Sequence, residues 1–216
     1  METKHLTIPV SDSIGAVSGI VTKPPSMKAM VVLAHGAGAG MNHSFMESLT
    51  SGLATSGIGT LRYNFPFIEQ GRKRPDVPAI AIRTIAVVLN LANEMKLGVP
   101  LFAAGKSFGG RMTSHYLAET SLSFVKGLIF YGFPLHAPGQ AGTKRADHLF
   151  KVKSPMLFLQ GTRDALADLT LMKELCASLP LATIVTFEGA DHSFKQGKKD
   201  FVADLAIATD RWTDSF

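Results

Sequence analysis

The stretch Leu101-Phe102-Ala103-Ala104-Gly105-Lys106-Ser107-Phe108-Gly109-Gly110-Arg111-Met112 decides the fold. A short apolar run ends in Gly105-Lys106-Ser107-Phe108-Gly109, and a helix-like pattern follows. A junction of this kind turns sharply, so a serine at its apex sits in a crowded backbone conformation. Side chains two positions either side would collide with neighbouring elements, and glycine removes those clashes. The turn lifts Ser107 Oγ above the strand end and brings N-terminal N–H groups of the next helix close to it. Gly-x-Ser-x-Gly in this setting is the pattern of a nucleophile elbow, which makes Ser107 a candidate nucleophile. The pentapeptide alone is a weak signal. Its context, and an acid and a histidine placed correctly downstream, make it specific.

Working outward, Ala29 to Ala34 is a continuous apolar run, as expected of a central strand covered on both faces. His35-Gly36-Ala37-Gly38-Ala39-Gly40 then forms a glycine-rich loop, and Ser44 to Ser56 reads as a helix with Phe45, Leu49 and Leu53 at fourfold spacing. Before them, His5–Val10 and Val17–Thr22 read as an antiparallel hairpin around Ser11-Asp12-Ser13-Ile14-Gly15. Gly59 to Tyr63 is the next strand, followed by Asn64-Phe65-Pro66-Phe67 and a basic loop, Gly71-Arg72-Lys73-Arg74-Pro75. Asp76 is expected to cap a long helix that ends at Gly98. Beyond the elbow lie strands at Val125–Tyr131, Pro155–Gln160 and Ala182–Phe187, and helices at Asp168–Leu179 and Asp200–Trp212. Strands alternating with helices after one hairpin predict an α/β fold, a mostly parallel central sheet with helices on both faces. Without an internal repeat or linker, residues 1–216 are expected to form a single domain.

Composition narrows the function classes. The 216 residues are 46% hydrophobic and 18% charged, which suits a large packed core. No apolar stretch approaches the ~18 residues of a transmembrane helix, and the first residues lack a signal-peptide pattern. Cys176 is the sole cysteine, so a cytoplasmic location is expected, with Cys176 as a buried structural thiol among Leu171, Met172 and Leu175. The net charge of +5 is not organised into an aromatic-interleaved stripe, so neither nucleic acid nor a membrane is expected as a partner. It suits solubility or anionic small molecules.

In a parallel sheet the loops after strand C-termini share one edge. Gly161-Thr162-Arg163-Asp164 follows one such strand and Glu188-Gly189-Ala190-Asp191-His192-Ser193-Phe194 another. Ser107, Asp164 and His192 are thereby brought together, in the chain order expected of this scaffold. Asp168 competes for the acid position, but its place at a helix start suits an N-cap. The Asp191 side chain is expected to point elsewhere, and His35 to shape its loop by hydrogen bonding. No His, Cys and Asp cluster has metal-ligand spacing, and the glycine loop lacks the phosphate-cradle patterns, so neither metal nor cofactor is expected.

These residues carry a resemblance. Gly105 to Gly109, the His35-Gly36-Ala37-Gly38 loop, Asp164 and the Asp191-His192-Ser193-Phe194 run resemble the α/β-hydrolase superfamily over nearly the whole chain. The nearest likeness is to small, lidless hydrolases of the dienelactone-hydrolase-like kind. Those typically use a cysteine nucleophile where this chain has Ser107, so their substrate does not carry over. Serine chemistry needs His192 to take the Ser107 proton and Asp164 to orient the imidazole and stabilise its cation. The resemblance implies an oxyanion hole from the backbone N–H groups of Phe108 and Ala37.

Between strands, Gly132 to Ser154 is too short for a separate lid domain. An open mouth is therefore expected, walled by Phe65, Phe67, Phe133, Leu135 and Phe194. The expected activity is that of a serine hydrolase on small carboxylic esters or thioesters. A peptidase, or a catalytically idle binding protein on the same fold, is the alternative. Basic residues crowd the same sheet edge, with Lys106 in the elbow, Arg72, Lys73 and Arg74, Lys144 and Arg145, Arg163, and Lys195, Lys198 and Lys199. An anionic substrate is expected to meet them, Arg72, Lys73 and Arg74 above all.

Overall fold

The computed structural model describes residues 1–216 and is built on an eight-stranded sheet. The strands are β1 (Glu2–Ser11), β2 (Gly15–Lys23), β3 (Ala29–Ala34), β4 (Ile58–Tyr63), β5 (Leu101–Lys106), β6 (Val125–Tyr131), β7 (Met156–Gly161) and β8 (Ala182–Phe187). Their order across the sheet is β1-β2-β4-β3-β5-β6-β7-β8. β1 and β2 pair antiparallel, β2 joins β4 antiparallel, and every pairing from β4 to β8 is parallel. This is the mostly parallel α/β architecture expected, with β5 near the middle.

The strand pleat sorts the core into two layers. Val31 and Leu33 of β3, Phe102 of β5, Ile129 of β6 and Leu157 of β7 face α1 (Ser44–Thr55) and the C-terminal helix, numbered α6 (Val202–Thr213). Their neighbours Val32, Ala103, Phe130 and Phe158 face α3 (Pro78–Glu94), α4 (Phe108–Glu119) and α5 (Leu169–Ser178). Successive side chains on a strand point to opposite faces, so runs buried on both sides read as unbroken apolar stretches. On its face of the sheet α6 is seated by Trp212, which lies against Gly127 of β6, where a Cβ would overlap the indole. Lys28 reaches Asp210 at 2.8 Å and Asp214 at 2.6 Å at the same C-terminal end of that helix.

Several local expectations change. Asp76 does not cap α3. Its carboxylate is buried and accepts from the Phe67 N–H at 3.0 Å and from the Arg72 guanidinium. Val77 occupies the cap, and Pro78 starts the helix, where its missing N–H costs nothing. The helix ends at Glu94, short of Gly98. A short helix, α2 (Pro66–Glu69), lies in what reads as loop. The Gly132–Ser154 segment forms no lid. It contains a 3-10 helix, Lys144–Lys151, packed on α4. After His192 the chain makes a two-residue-per-strand hairpin, β9 (Lys195–Gln196) with β10 (Lys199–Asp200). Cys176 is buried, and burial pushes its thiol up to about 12, the inert state of a packing residue.

Candidate active site

At the β5–α4 junction Ser107 has φ +50 and ψ −113, a left-handed conformation that non-glycine residues rarely adopt. The flanking glycines permit it. A Cβ on Gly105 would overlap the backbone of Gly109 and Gly110. One on Gly109 would stand 2.5 Å from the His35 carbonyl oxygen and 2.7 Å from that of Ala34. The elbow thus depends on three backbone segments approaching closer than any side chain allows.

The β7 and β8 loops are stitched together by backbone bonds. Thr162 N–H donates to the Phe187 carbonyl at 3.1 Å and Arg163 N–H to that of Ala190 at 2.9 Å. Gly189 N–H donates to Thr162 Oγ1 at 2.8 Å. Gly161, at the end of β7, leaves room for the Ala190 and Asp191 carbonyls. These contacts deliver His192 over the elbow. Its Nε2 lies 2.9 Å from Ser107 Oγ, and its Nδ1 lies 2.7 Å from Asp164 Oδ2.

Asp164 is 6% exposed and needs partners to stay ionised. Burial pushes its carboxyl up. The hydrogen bond and attraction of His192, the Leu166 N–H at 2.8 Å and the Lys106 charge outweigh it, leaving the group below the ordinary carboxylate range. Gln160 supplies a further donor that the sequence reading missed. Its Nε2 donates to Asp164 Oδ2 at 2.6 Å, and its Oε1 accepts from the Phe133 N–H at 3.0 Å. The available signal was a single amide ending an otherwise apolar strand, four residues before the acid.

Lys106 is the second residue whose role was not legible. Instead of joining a rim, its half-buried side chain runs inward and Nζ donates to the His192 carbonyl at 2.6 Å. The ammonium lies 5.4 Å from the Phe194 ring centroid and 5.9 Å from that of Phe45. Burial pulls it down to about 8.

The glycine-rich loop is pinned by His35, which is fully buried. Its Nδ1 donates to the Gly36 carbonyl at 2.7 Å, so Nε2 is free to accept from the Phe65 N–H at 2.9 Å. Burial lowers its pKa to about 4, and a neutral imidazole fits both bonds. Phe108 N–H, in the first turn of α4, and Ala37 N–H have no acceptor within the protein. Asp168 caps α5 by accepting from the Leu171 N–H at 3.0 Å. Asp191 faces away from the serine, accepting from Ser193 and Lys195 N–H groups.

The expected substrate walls are corrected. Phe65 and Phe67 are fully buried and pack edge-on against His35, with Phe108 against both. Phe133 is buried against Phe130 and Phe158, and Phe194 is buried against Phe45 and Phe187. Aromatic surface of this size stabilises most when removed from water, and these rings anchor the loops from beneath. Arg72 is likewise committed, bound to Asp76 and to Gln70 Oε1 at 2.8 Å. Lys73 and Arg74 are exposed and make no hydrogen bond or ion pair with the serine, histidine or acid. No group of His, Cys, Asp or Glu side chains converges as a metal site would require.

A mostly parallel sheet carrying a strained serine at a strand-to-helix turn, with no inserted lid, defines a class of lidless α/β hydrolases. Residues 27–209 match the family described as the alpha/beta hydrolase domain, and the chain belongs to it. Solved structures agree on the fold. An alpha-beta serine hydrolase homologue from Coxiella burnetii is 22% identical, with TM-score 0.77 over 98% of this chain and 97% of that one. Dienelactone hydrolase from Anabaena variabilis is 18% identical, with TM-score 0.78 over 100% and 98%. A lidless a/b serine hydrolase from Xanthomonas campestris is 20% identical, with TM-score 0.77 over 100% and 95%. No helix is long and apolar enough to cross a membrane.

Proposed function

We propose that the protein is a serine hydrolase that cleaves small carboxylic esters or thioesters through an acyl-enzyme on Ser107. The observation that carries this reading is the unbroken chain from Ser107 Oγ to His192 at 2.9 Å and on to Asp164 at 2.7 Å. As Oγ attacks the substrate carbonyl, His192 Nε2 takes its proton. The carbonyl oxygen becomes an oxyanion, which the Phe108 and Ala37 N–H groups stabilise. His192 passes the proton to the leaving alkoxide or thiolate as the bond to carbon breaks, releasing alcohol or thiol. Water repeats the sequence on the acyl-enzyme, returning Ser107 and a carboxylic acid. Asp164 stays ionised throughout and holds the Nδ1–H tautomer. Open access without a lid suits small, soluble esters, and the serine hydrolase named among the structural relatives supports the same chemistry.

The test is labelling by a fluorophosphonate probe together with turnover of an ester panel. Wild-type protein should label at Ser107 and hydrolyse short esters. Ser107→Ala and His192→Ala should each lower kcat by several orders of magnitude, with the double variant scarcely worse. Near-native turnover by correctly folded Ser107→Ala protein refutes the assignment.

A further inference from the structure

A second concavity opens beside the elbow helix. It has a volume of about 460 Å³ and is lined by Arg111, His115, Leu135, His136, Lys144 and Arg145, together with Ala137, Gln140, Ala141 and Gly142. Arg111 and His115 are one turn apart on the same face of α4. The 3-10 helix packed on α4 brings Lys144 and Arg145, and its His148 stacks on His115 with ring centroids 3.6 Å apart. Ser114 Oγ donates to the Arg111 carbonyl at 2.8 Å and meets His148 Nε2 at 2.7 Å, which orders this wall.

The wall holds no carboxylate. None of Arg111, Lys144 and Arg145 is in an ion pair. The nearest acid acting on His115 is Glu119, which is exposed and reaches Lys151 at 3.6 Å. Burial and then Arg145 depress Arg111; burial, then His115 and Arg111, hold His148 down to about 3. The protein thus maintains mutually repelling cations around a cavity with nothing of its own to neutralise them.

Two of the lining residues lie a short way along the chain from the reacting groups. Arg111 follows Ser107 by four residues, roughly 6 Å along the helix. A Cβ on Gly132 would lie 3.6 Å from His192 Cε1, and Leu135 is three residues further along the chain, at most about 11 Å from Gly132. We propose that this pocket is an anion-binding subsite, taking a carboxylate or phosphate that the ester substrate carries several bonds from its scissile carbonyl. The proposal rests on the esterase reading for its link to catalysis, while the anion site itself stands on the cavity. It moves anion recognition away from Arg72, Lys73 and Arg74 to Arg111 and Arg145.

The test measures binding and turnover separately on the full chain. Glutarate and inorganic phosphate are titrated by calorimetry into wild-type, Ser107→Ala, Arg111→Met and Arg145→Met proteins. The same wild-type and arginine variants are assayed at low and high salt with p-nitrophenyl pentanoate and its ω-carboxylate counterpart, mono-p-nitrophenyl glutarate. The expected result is saturable binding that survives Ser107→Ala and weakens roughly tenfold or more in each arginine variant. The tighter of the two anions identifies the group. The ratio of kcat/KM for the charged over the neutral ester should exceed one at low salt and fall roughly tenfold in Arg111→Met and Arg145→Met. Arg145→Met, farther from the helix core, serves if Arg111→Met fails to fold. Turnover of the neutral ester with no anion binding and no charge preference overturns the subsite and leaves the hydrolase intact. Anion binding that depends on Arg145, with neither ester hydrolysed, upholds the anion site and refutes the esterase reading. Absence of both refutes both.

Discussion

Replacing Lys106 with Met removes an ammonium that burial holds at about 8 instead of 10.5. At roughly 1.4 kcal/mol per pKa unit, keeping that charge inside at neutral pH costs on the order of 3 kcal/mol. Against this stand a charge-assisted hydrogen bond to the His192 carbonyl, about 1.5–3 kcal/mol, and two aromatic contacts of ~0.5–1 kcal/mol each. The opposing contributions nearly cancel, so Lys106→Met should change unfolding free energy by less than about 1 kcal/mol. Catalysis has no such cancellation. The lost bond is what ties the His192 backbone to the elbow, and a displacement of about 1 Å can cost ~100-fold in rate. We therefore expect kcat to fall roughly 10- to 100-fold while stability holds. Urea unfolding and ester hydrolysis on the same preparation measure both. The sign of the pH effect follows from the depressed pKa: the ammonium is charged below about 8 and neutral above it. Wild-type kcat should decline as pH rises through that value, and Lys106→Arg, which stays charged, should carry its activity to higher pH. Wild-type kcat in Lys106→Met refutes the positioning role. So does a loss of about 3 kcal/mol in stability that accounts for the lost activity.

Gln160→Leu removes a donor from Asp164 and strands the buried Phe133 N–H, so kcat and stability should both fall, the latter by about 1–3 kcal/mol in chemical denaturation. Gly109→Ala forces a Cβ against the His35 and Ala34 carbonyls, backbone that cannot yield, and should cost about 1–3 kcal/mol. Gly142→Ala, with open space around it, should leave the melting temperature unchanged. Buried His35 is neutral down to about 4, whereas in the unfolded chain it protonates near 6.5. Its contribution is therefore full above pH 6.5 and is lost as pH falls toward 4, roughly 3 kcal/mol in all. His35→Gln should flatten that part of the stability profile, and an unchanged slope refutes the assignment.

Strand positions were legible because a strand buried on both faces needs apolar residues at every position. Ala29–Ala34 is such a strand, while Val125–Tyr131 and Ala182–Phe187 were legible from their β-branched and aromatic content although Lys126, Thr183 and Thr186 are exposed. The elbow was legible for a steric reason: only glycine tolerates the backbone crowding measured at Gly105 and Gly109. The convergence of Ser107, Asp164 and His192 followed from parallel topology, which sends every relevant loop to one edge. What the sequence by itself left undetermined is where long side chains end. Lys106 and Arg72 read as rim charges, yet one ammonium lies against the His192 carbonyl and one guanidinium against buried Asp76. Phe65, Phe67, Phe133 and Phe194 sit in loops by sequence and in the core by structure. Gln160 and the Arg111–Arg145 wall join residues far apart in the chain. Backbone conformation and pleat are local properties that residue type constrains directly. Side-chain destinations and charge neighbourhoods are sums over non-local contacts, and only the packed tertiary structure decides them.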